Sequence, residues 1–225
     1  MKHYNIAMDG PAGAGKSSLA KALAAKLGAL YVDTGAIYRT VGLYVARQGG
    51  DCGKAEEVLP KLPDIHITLD HGPDGLQRMY LNGEDVTTAI RENAVSRYAS
   101  QVSAIPEVRA FLLDMQRKLA AEHNVVMDGR DIGTVVLPEA EVKVFLTASV
   151  EQRALRRWKE LCAKGESPDL ATIQEEIAQR DYDDSHRAAA PLRQAEDAVL
   201  LDTSALNLEE SLEALHAIVK ERIGP

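Results

Sequence analysis

The sequence predicts an α/β fold, with a five-stranded parallel sheet covered by helices on both faces. Three observations carry this. Apolar runs alternate with helical stretches along most of the chain, the pattern of β-α-β units. Several of those runs are continuous rather than alternating, as strands buried on both faces are. A glycine-rich loop links the first run directly to the first helix. At 225 residues the chain is long enough for one well-buried core.

The core strands are expected at 4–8, 29–32, 125–128, 142–146 and 198–202. After the first comes a helix with Leu19, Leu23 and Leu27 on one face, stopped by Gly28. Residues 60–101 break the alternation and read as an insert. Within it Ile65-His66-Ile67-Thr68-Leu69 and residues 77–81 alternate like hairpin strands, with Gly72, Pro73, Asp74 and Gly75 as turn residues between them. Asn82-Gly83 marks a further tight turn. Residues 150–191 read as two polar helices around a break at Gly165 to Pro168, with charge of both signs, as in a mobile lid. Ser149 with Gln152, and Asn207 with Glu210, are capping-box pairs that start helices. In the last helix Leu208, Leu212, Leu215 and Val219 recur on one face.

Composition narrows the function classes. The chain is 45% hydrophobic and 27% charged, ordinary for a globular protein. No apolar run reaches the roughly 18–20 residues of a membrane span. Met1-Lys2-His3-Tyr4 runs straight into a strand, without the zones of a signal peptide. Cys52 and Cys162 match no metal or disulfide spacing, so a reduced cytoplasmic setting is expected. The net charge of −8 disfavours nucleic acid as a partner. An acidic chain acting on an anionic substrate must gather its arginines locally.

Gly10-Pro11-Ala12-Gly13-Ala14-Gly15-Lys16-Ser17 fits G-x-x-x-x-G-K-[ST] between a strand and a helix. Glycines let the backbone curl so that consecutive N–H groups face one anion, and the helix N-terminus adds the positive end of its dipole. Residues 10–18, including Ser18, are therefore the expected ATP-binding segment. Lys16 would reach the β- and γ-phosphates, and the Ser17 hydroxyl would ligate Mg²⁺. Val125-Val126-Met127-Asp128 delivers a carboxylate to a strand end where the same Mg²⁺ would sit. A regulatory GTPase is disfavoured, since N-K-x-D and D-x-x-G are absent. An ATPase module acting on a macromolecule leaves the arginines unexplained. Arg39 lies just past Asp33-Thr34-Gly35, Arg109 follows Pro106, and Arg130 sits between Asp128 and Asp131. Arg153, Arg156 and Arg157 share one helical turn, and Arg180 and Arg187 flank a run of aspartates. Phosphoryl transfer needs such donors on both phosphates and on the charge that develops between them.

Five blocks now carry a resemblance. They are Asp9 to Lys16, Asp33 to Arg39, Ala99-Ser100-Gln101-Val102, Asp128 to Val136, and Gln179-Arg180-Asp181 through Arg187 to Leu192. In this order and spacing the chain resembles the bacterial cytidylate kinases, within the nucleoside monophosphate kinase group. The resemblance implies a P-loop three-layer fold in a single domain over 1–225, with an acceptor-binding insert and a lid. It implies transfer of the γ-phosphoryl group of ATP to CMP or dCMP. It places Ser100, Arg109, Asp131 and Arg187 around the cytosine, Arg39 and Arg130 on the acceptor phosphate, and Arg180 and Asp184 on the ribose. Thr34 falls at the acceptor phosphate and ribose, where many members have serine. Lys16, Arg130 and Arg157 are the expected catalytic side chains. A monomer is the default expectation.

The chemistry of cytosine agrees with that base assignment. Its N4 amine donates while N3 and O2 accept, so a carboxylate such as Asp131 suits the amine and guanidinium groups suit the ring acceptors. No general base is needed, because an acceptor phosphate oxygen is already nucleophilic at neutral pH. The six histidines show no paired spacing, and Trp158 reads as a packing residue. Tyr182 has no account at the level of sequence.

Overall fold

The computed structural model describes residues 3–72 and 75–224. The expected turn residues Pro73 and Asp74 lie outside the described residues. The chain divides into two compact units, one of Met1–Leu30 with His123–Pro225 and one of Tyr31–Glu122.

The first unit carries most of the parallel sheet. Strands β1 (Asn5–Asp9), β2 (Leu30–Asp33), β6 (Val125–Asp128), β7 (Val142–Thr147) and β8 (Val199–Asp202) lie in the order β2-β6-β1-β7-β8. Each begins and ends within one residue of the run expected for it. β1 pairs in parallel with β6 on one side and β7 on the other, and β7 with β8. Ile6, Ala7, Met8, Val125, Val126 and Met127 are fully buried, which explains the continuous apolar runs. At the edge, β8 leaves Leu200 54% exposed.

Helix α1 (Lys16–Leu27) buries Leu19 and Leu23 and ends at Gly28, whose φ of 62° closes the helix in the left-handed conformation. The final helix α8 (Leu208–Ile223) starts with a full capping box between Asn207 and Glu210. Its buried stripe is Ser211, Leu215 and Val219, not the expected four. Leu208, in the first turn, is 63% exposed. Helix α6 (Val150–Ala163) has only half of its expected box. Ser149 accepts from the Gln152 N–H, but its own N–H goes to Ser204 Oγ at 2.9 Å, a partner no local pattern could reveal. With α7 (Leu170–His186) it forms the expected pair of polar helices. The pair has a small core of its own, Ala154, Leu161, Ile173 and Ile177. Trp158 packs against it and donates its indole N–H to Pro168 O at 3.1 Å. Tyr182 stacks on His186 with ring centroids 4.0 Å apart.

The second unit is built around α2 (Thr34–Arg47) and α4 (Asn93–Ser103), with the short α3 (Ala55–Val58) and the long α5 (Pro106–Glu122). The expected hairpin is present as β3 (Ile67–His71) and β4 (Gln77–Leu81), antiparallel, with a third strand β5 (Glu84–Asp85). Asn82 and Gly83 turn β4 into β5 with φ of 50° and 87°, the two positive angles that suit Asn-Gly. Among the described residues no helix is long and apolar enough to cross a membrane.

Helices α2 and α4 meet closely at a glycine. A Cβ on Gly42 would lie 2.7 Å from the Tyr98 Cβ. Gly to Ala inside a free helix stabilises by up to ~1 kcal/mol. Here the added methyl has no room, and overpacking should reverse the sign. Gly42→Ala is expected to destabilise by about 1–3 kcal/mol in urea unfolding. An unchanged or raised unfolding midpoint would mean that the two helices do not pack this tightly.

Candidate active site

The site begins where β1 stops. Past Asp9 the backbone enters a loop that only glycine permits at its first residue. Gly10 has φ of 147°, and a Cβ there would run into the carbonyl oxygen of Leu146 on β7. Gly13 and Gly15 also hold positive φ, 75° and 96°. Gly15 is the N-cap of α1 and no side chain caps the helix, so its first N–H groups stay available to an anion.

Lys16 folds back onto this loop. Its Nζ donates to Gly10 O and to Pro11 O, both at 2.7 Å. Burial pushes its pKa well below the usual lysine value and the nearby Arg130 adds to this, while Asp128, Asp9 and Asp184 oppose it. One residue on, Ser17 Oγ donates to Asp128 Oδ2 at 2.9 Å. Asp128 ends β6, in register with Met8 of β1, which carries its carboxylate to the mouth of the loop. A hydroxyl and a carboxylate side by side are hard oxygen donors of the kind Mg²⁺ takes, the ion using few protein ligands and completing its shell with phosphate and water.

Helix α6 grips the same loop through its arginines. The Arg153 guanidinium donates to Ala12 O at 3.0 Å and to Ala148 O at 2.8 Å, and it holds Asp181 of α7 with two bonds of 3.0 and 2.5 Å. Arg156 donates to Ala14 O at 3.2 Å and to Thr203 O at 2.7 Å. Arg157 instead pairs with Glu160 at 2.9 Å. The three arginines of one turn therefore reach different targets, two of them carbonyls of the phosphate loop.

A second cluster follows β6. Arg130 Nε donates to Asp184 Oδ2 at 2.8 Å. Arg187 lies 3.8 Å from Asp131 and 4.0 Å from Asp184, and donates twice to Ala190 O. Burial alone would raise the Asp184 pKa, but Arg130, Arg180 and Arg187 together hold it below the ordinary carboxylate value. Asp131, Arg130, Arg180, Asp184 and Arg187 are thus brought together. After Asp131 the chain makes one π-helical turn, Ile132–Val136, with Asp131 O accepting from both Val135 and Val136.

That turn is held by Asp9, which sequence reasoning did not place in the site. Its two carboxylate oxygens accept from Ile132 N and Gly133 N, each at 2.7 Å. The signal was present: a carboxylate ending the strand just before the loop.

The second unit has a cluster of its own. Asp33 caps α2, accepting from Ala36 N at 2.9 Å, and with its other oxygen it accepts from Arg39 Nη2 at 2.8 Å. Arg39 Nε is buried with no hydrogen-bond partner among the described residues. Thr34 is buried in the first turn of α2. The Arg109 guanidinium lies 5.4 Å over the Tyr38 ring and donates to Ser103 O at 3.1 Å. Ser100, half-buried on α4, accepts from Ser103 Oγ through its carbonyl at 2.9 Å. Gln77 and Tyr38 are further residues of this cluster, which sequence reasoning did not name as site residues.

Residues 6–221 match the family model described as Cytidylate kinase. The chain belongs to the cytidylate kinase family. It is an enzyme, a nucleoside monophosphate kinase that transfers the γ-phosphoryl group of ATP to CMP or dCMP. A cytidylate kinase of Streptococcus pneumoniae (strain 70585) is 47% identical over 223 residues, covering 99% of this chain and all of that protein. One from S. pneumoniae serotype 19F (strain G54) is 49% identical over 224 residues with the same coverage. A solved shikimate kinase from Bacteroides thetaiotaomicron is similar at 16% identity with a TM-score of 0.46, over 96% of this chain and 98% of that one, too slight a likeness to bear on function.

Burial raises the Asp9 pKa from 3.8 to about 6, against the lowering effect of the two backbone N–H donors. A raised carboxyl pKa means the folded protein holds this proton after the unfolded chain has lost it. The contribution of Asp9 to stability therefore falls as pH rises from about 4 to about 6, and its cost stands in full above that range. The Asp9 carboxyl carbon is expected to titrate near pH 6 in a ¹³C NMR series on the nucleotide-free enzyme. A midpoint at or below 4 would show that the N–H donors outweigh desolvation.

Proposed function

We propose that ATP binds the loop of residues 10–18 with Mg²⁺, and that the arginines and aspartates named above serve the acceptor nucleotide. The observation that carries the donor side is Lys16, a buried, desolvated ammonium resting on two carbonyls of its own loop. Carbonyls are weak partners for a full charge, so phosphate oxygens would displace them readily. Ser17 and Asp128 would hold the metal, which supplies positive charge to the β- and γ-phosphates. Lys16, Arg130 and Arg157 would follow the charge of the transferring group.

On the acceptor side, Arg39 with its unpartnered buried Nε supports a role on the CMP phosphate, joined by Arg130. Arg180 and Asp184 would take the ribose, with Thr34 at the phosphate and ribose. Ser100, Arg109, Asp131 and Arg187 would read the cytosine. In this reading residues 1–225 form a single kinase domain, with residues 60–101 as the acceptor-binding addition and 150–191 as a lid that excludes water. The enzyme would act as a cytoplasmic monomer in pyrimidine nucleotide metabolism. Its free cysteines, Cys52 and Cys162, fit a reducing compartment.

Lys16→Ala should lower kcat by a factor on the order of 10²–10³, since a positioned charge on the transferring group is lost. Near-normal turnover in a folded variant would remove Lys16 from the chemistry.

Base reading is tested at Asp131. Its carboxylate would accept the cytosine N4–H, whereas uracil would turn O4 toward the same lone pairs. Asp131→Asn offers an amide donor, so it should lower kcat/KM for CMP and narrow the gap to UMP. If Asp131 serves only to pair Arg187, both substrates should lose activity equally. The measurement is kcat/KM for both substrates in both proteins, with melting temperatures as the control for folding.

A further inference from the structure

The edge of β2 is closed by side chains rather than by a strand. β2 is the outermost strand of the parallel sheet, so among the described residues no further strand of that sheet lies on its outer side. The hairpin of the second unit supplies partners through one cross-strand pair. His71 and Gln77 face each other at the end of the hairpin where β3 leads into β4. His71 Nε2 lies 2.8 Å from Tyr31 O. Gln77 Oε1 accepts from Asp33 N at 2.8 Å, and Gln77 Nε2 donates to Asp33 O at 3.4 Å. The Gln77 amide thus spans both polar groups of Asp33, as a neighbouring strand would. Its Nε2 also lies 3.0 Å from Met79 Sδ, and Gln77 is 5% exposed, so the amide has little freedom to turn away.

Asp33 is the residue that orients Arg39. One carboxylate oxygen starts α2 and the other accepts from Arg39 Nη2. The chain of contacts is therefore Gln77 amide, Asp33 peptide, Asp33 carboxylate, Arg39 guanidinium. We infer that Gln77 is a positioning residue for acceptor-phosphate binding: the hairpin fixes the Asp33 peptide so that Arg39 is held ready before the acceptor arrives. This gives the insert a role beyond bulk. It rests on the reading of Arg39 as an acceptor-phosphate residue.

The chemistry predicts a specific signature. A loosened Arg39 should cost affinity for the phosphate and nothing for the nucleoside. The quantity to measure is the Kd of cytidine divided by the Kd of CMP, on the full-length enzyme, with ATP affinity and melting temperature alongside. Gln77→Met keeps the length and removes both hydrogen bonds to Asp33. It is expected to lower this ratio about 5- to 10-fold, the loss of one or two modest hydrogen bonds, with ATP affinity unchanged. Arg39→Met should lower the ratio further, and adding Gln77→Met to it should change little more. If Arg39→Met lowers the ratio while Gln77→Met leaves it intact, the inference about Gln77 is overturned and the role of Arg39 stands. If Arg39→Met leaves the ratio intact, both fall. If Gln77→Met weakens cytidine and CMP equally, Gln77 only supports the fold. Where Gln77→Met does not fold, Gln77→Asn, one carbon too short to reach Asp33, decides by the same ratio.

Discussion

A positive charge with almost no water around it is the constraint on which the phosphate loop depends. Lys16 is buried, and its ammonium donates to two backbone carbonyls of its own loop. A lone buried ammonium would neutralise, but three carboxylates stand close enough to favour its charge: Asp128, Asp9 and Asp184. Each comes from a different segment. Asp9 ends β1, Asp128 ends β6 and Asp184 lies on α7. Parallel strands bring the first two to the same end of the sheet, so the sheet order itself sets the field around Lys16. Arg130 acts in the opposite direction. The lysine is left poised rather than saturated, which suits the proposed transfer of its contacts to phosphate.

The same economy governs the loop's carbonyls. A loop that turns its N–H groups toward an anion must turn carbonyls elsewhere, and buried carbonyls need donors. Ala12 and Ala14 find them in Arg153 and Arg156 of α6. Arg153 is itself tied to Asp181 of α7 by two bonds. The polar helix pair is thus anchored to the loop at its base, whatever its outer part does. Its charged sequence suggests a mobile lid, and these bonds tie only the base of such a lid to the loop. The anchors are long-range contacts between arginines and backbone oxygens, and backbone oxygens leave no trace in a sequence.

What the sequence did reveal divides along the same line. The central strands were legible because burial on both faces makes their middles continuously apolar, as in Ile6-Ala7-Met8 and Val125-Val126-Met127. The phosphate loop was legible because glycine at 10, 13 and 15 is demanded by backbone angles and by the carbonyl of Leu146. The cluster of Arg130, Asp131, Arg180, Asp184 and Arg187 could be drawn from blocks of residues that recur as a set. Asp9, Asp181 and Gln77 escaped because each acts on another part of the chain through a partner no local pattern names. Leu208 misled for the converse reason: periodicity marks a helix face but not how far along the helix that face stays covered.

Arg130, Asp184, Arg187 and Asp131 are largely buried, and burying two opposite charges together is seldom a net gain in stability. An apolar cluster of the same volume would serve the fold as well or better. Such a network is more naturally kept for what it recognises. Each arginine here is already engaged by a carboxylate of the protein, so an anion bound there, as the proposed function has it, would share or displace that partner. This holds the groups in fixed orientations, which favours selection of one arrangement of donors and acceptors over another. It also limits how tightly any anion is held, because the site regains its own ion pairs when the anion leaves. For an enzyme that must release a phosphorylated product more anionic than its acceptor, a network that competes with its ligand is better suited than a cluster of unpaired arginines.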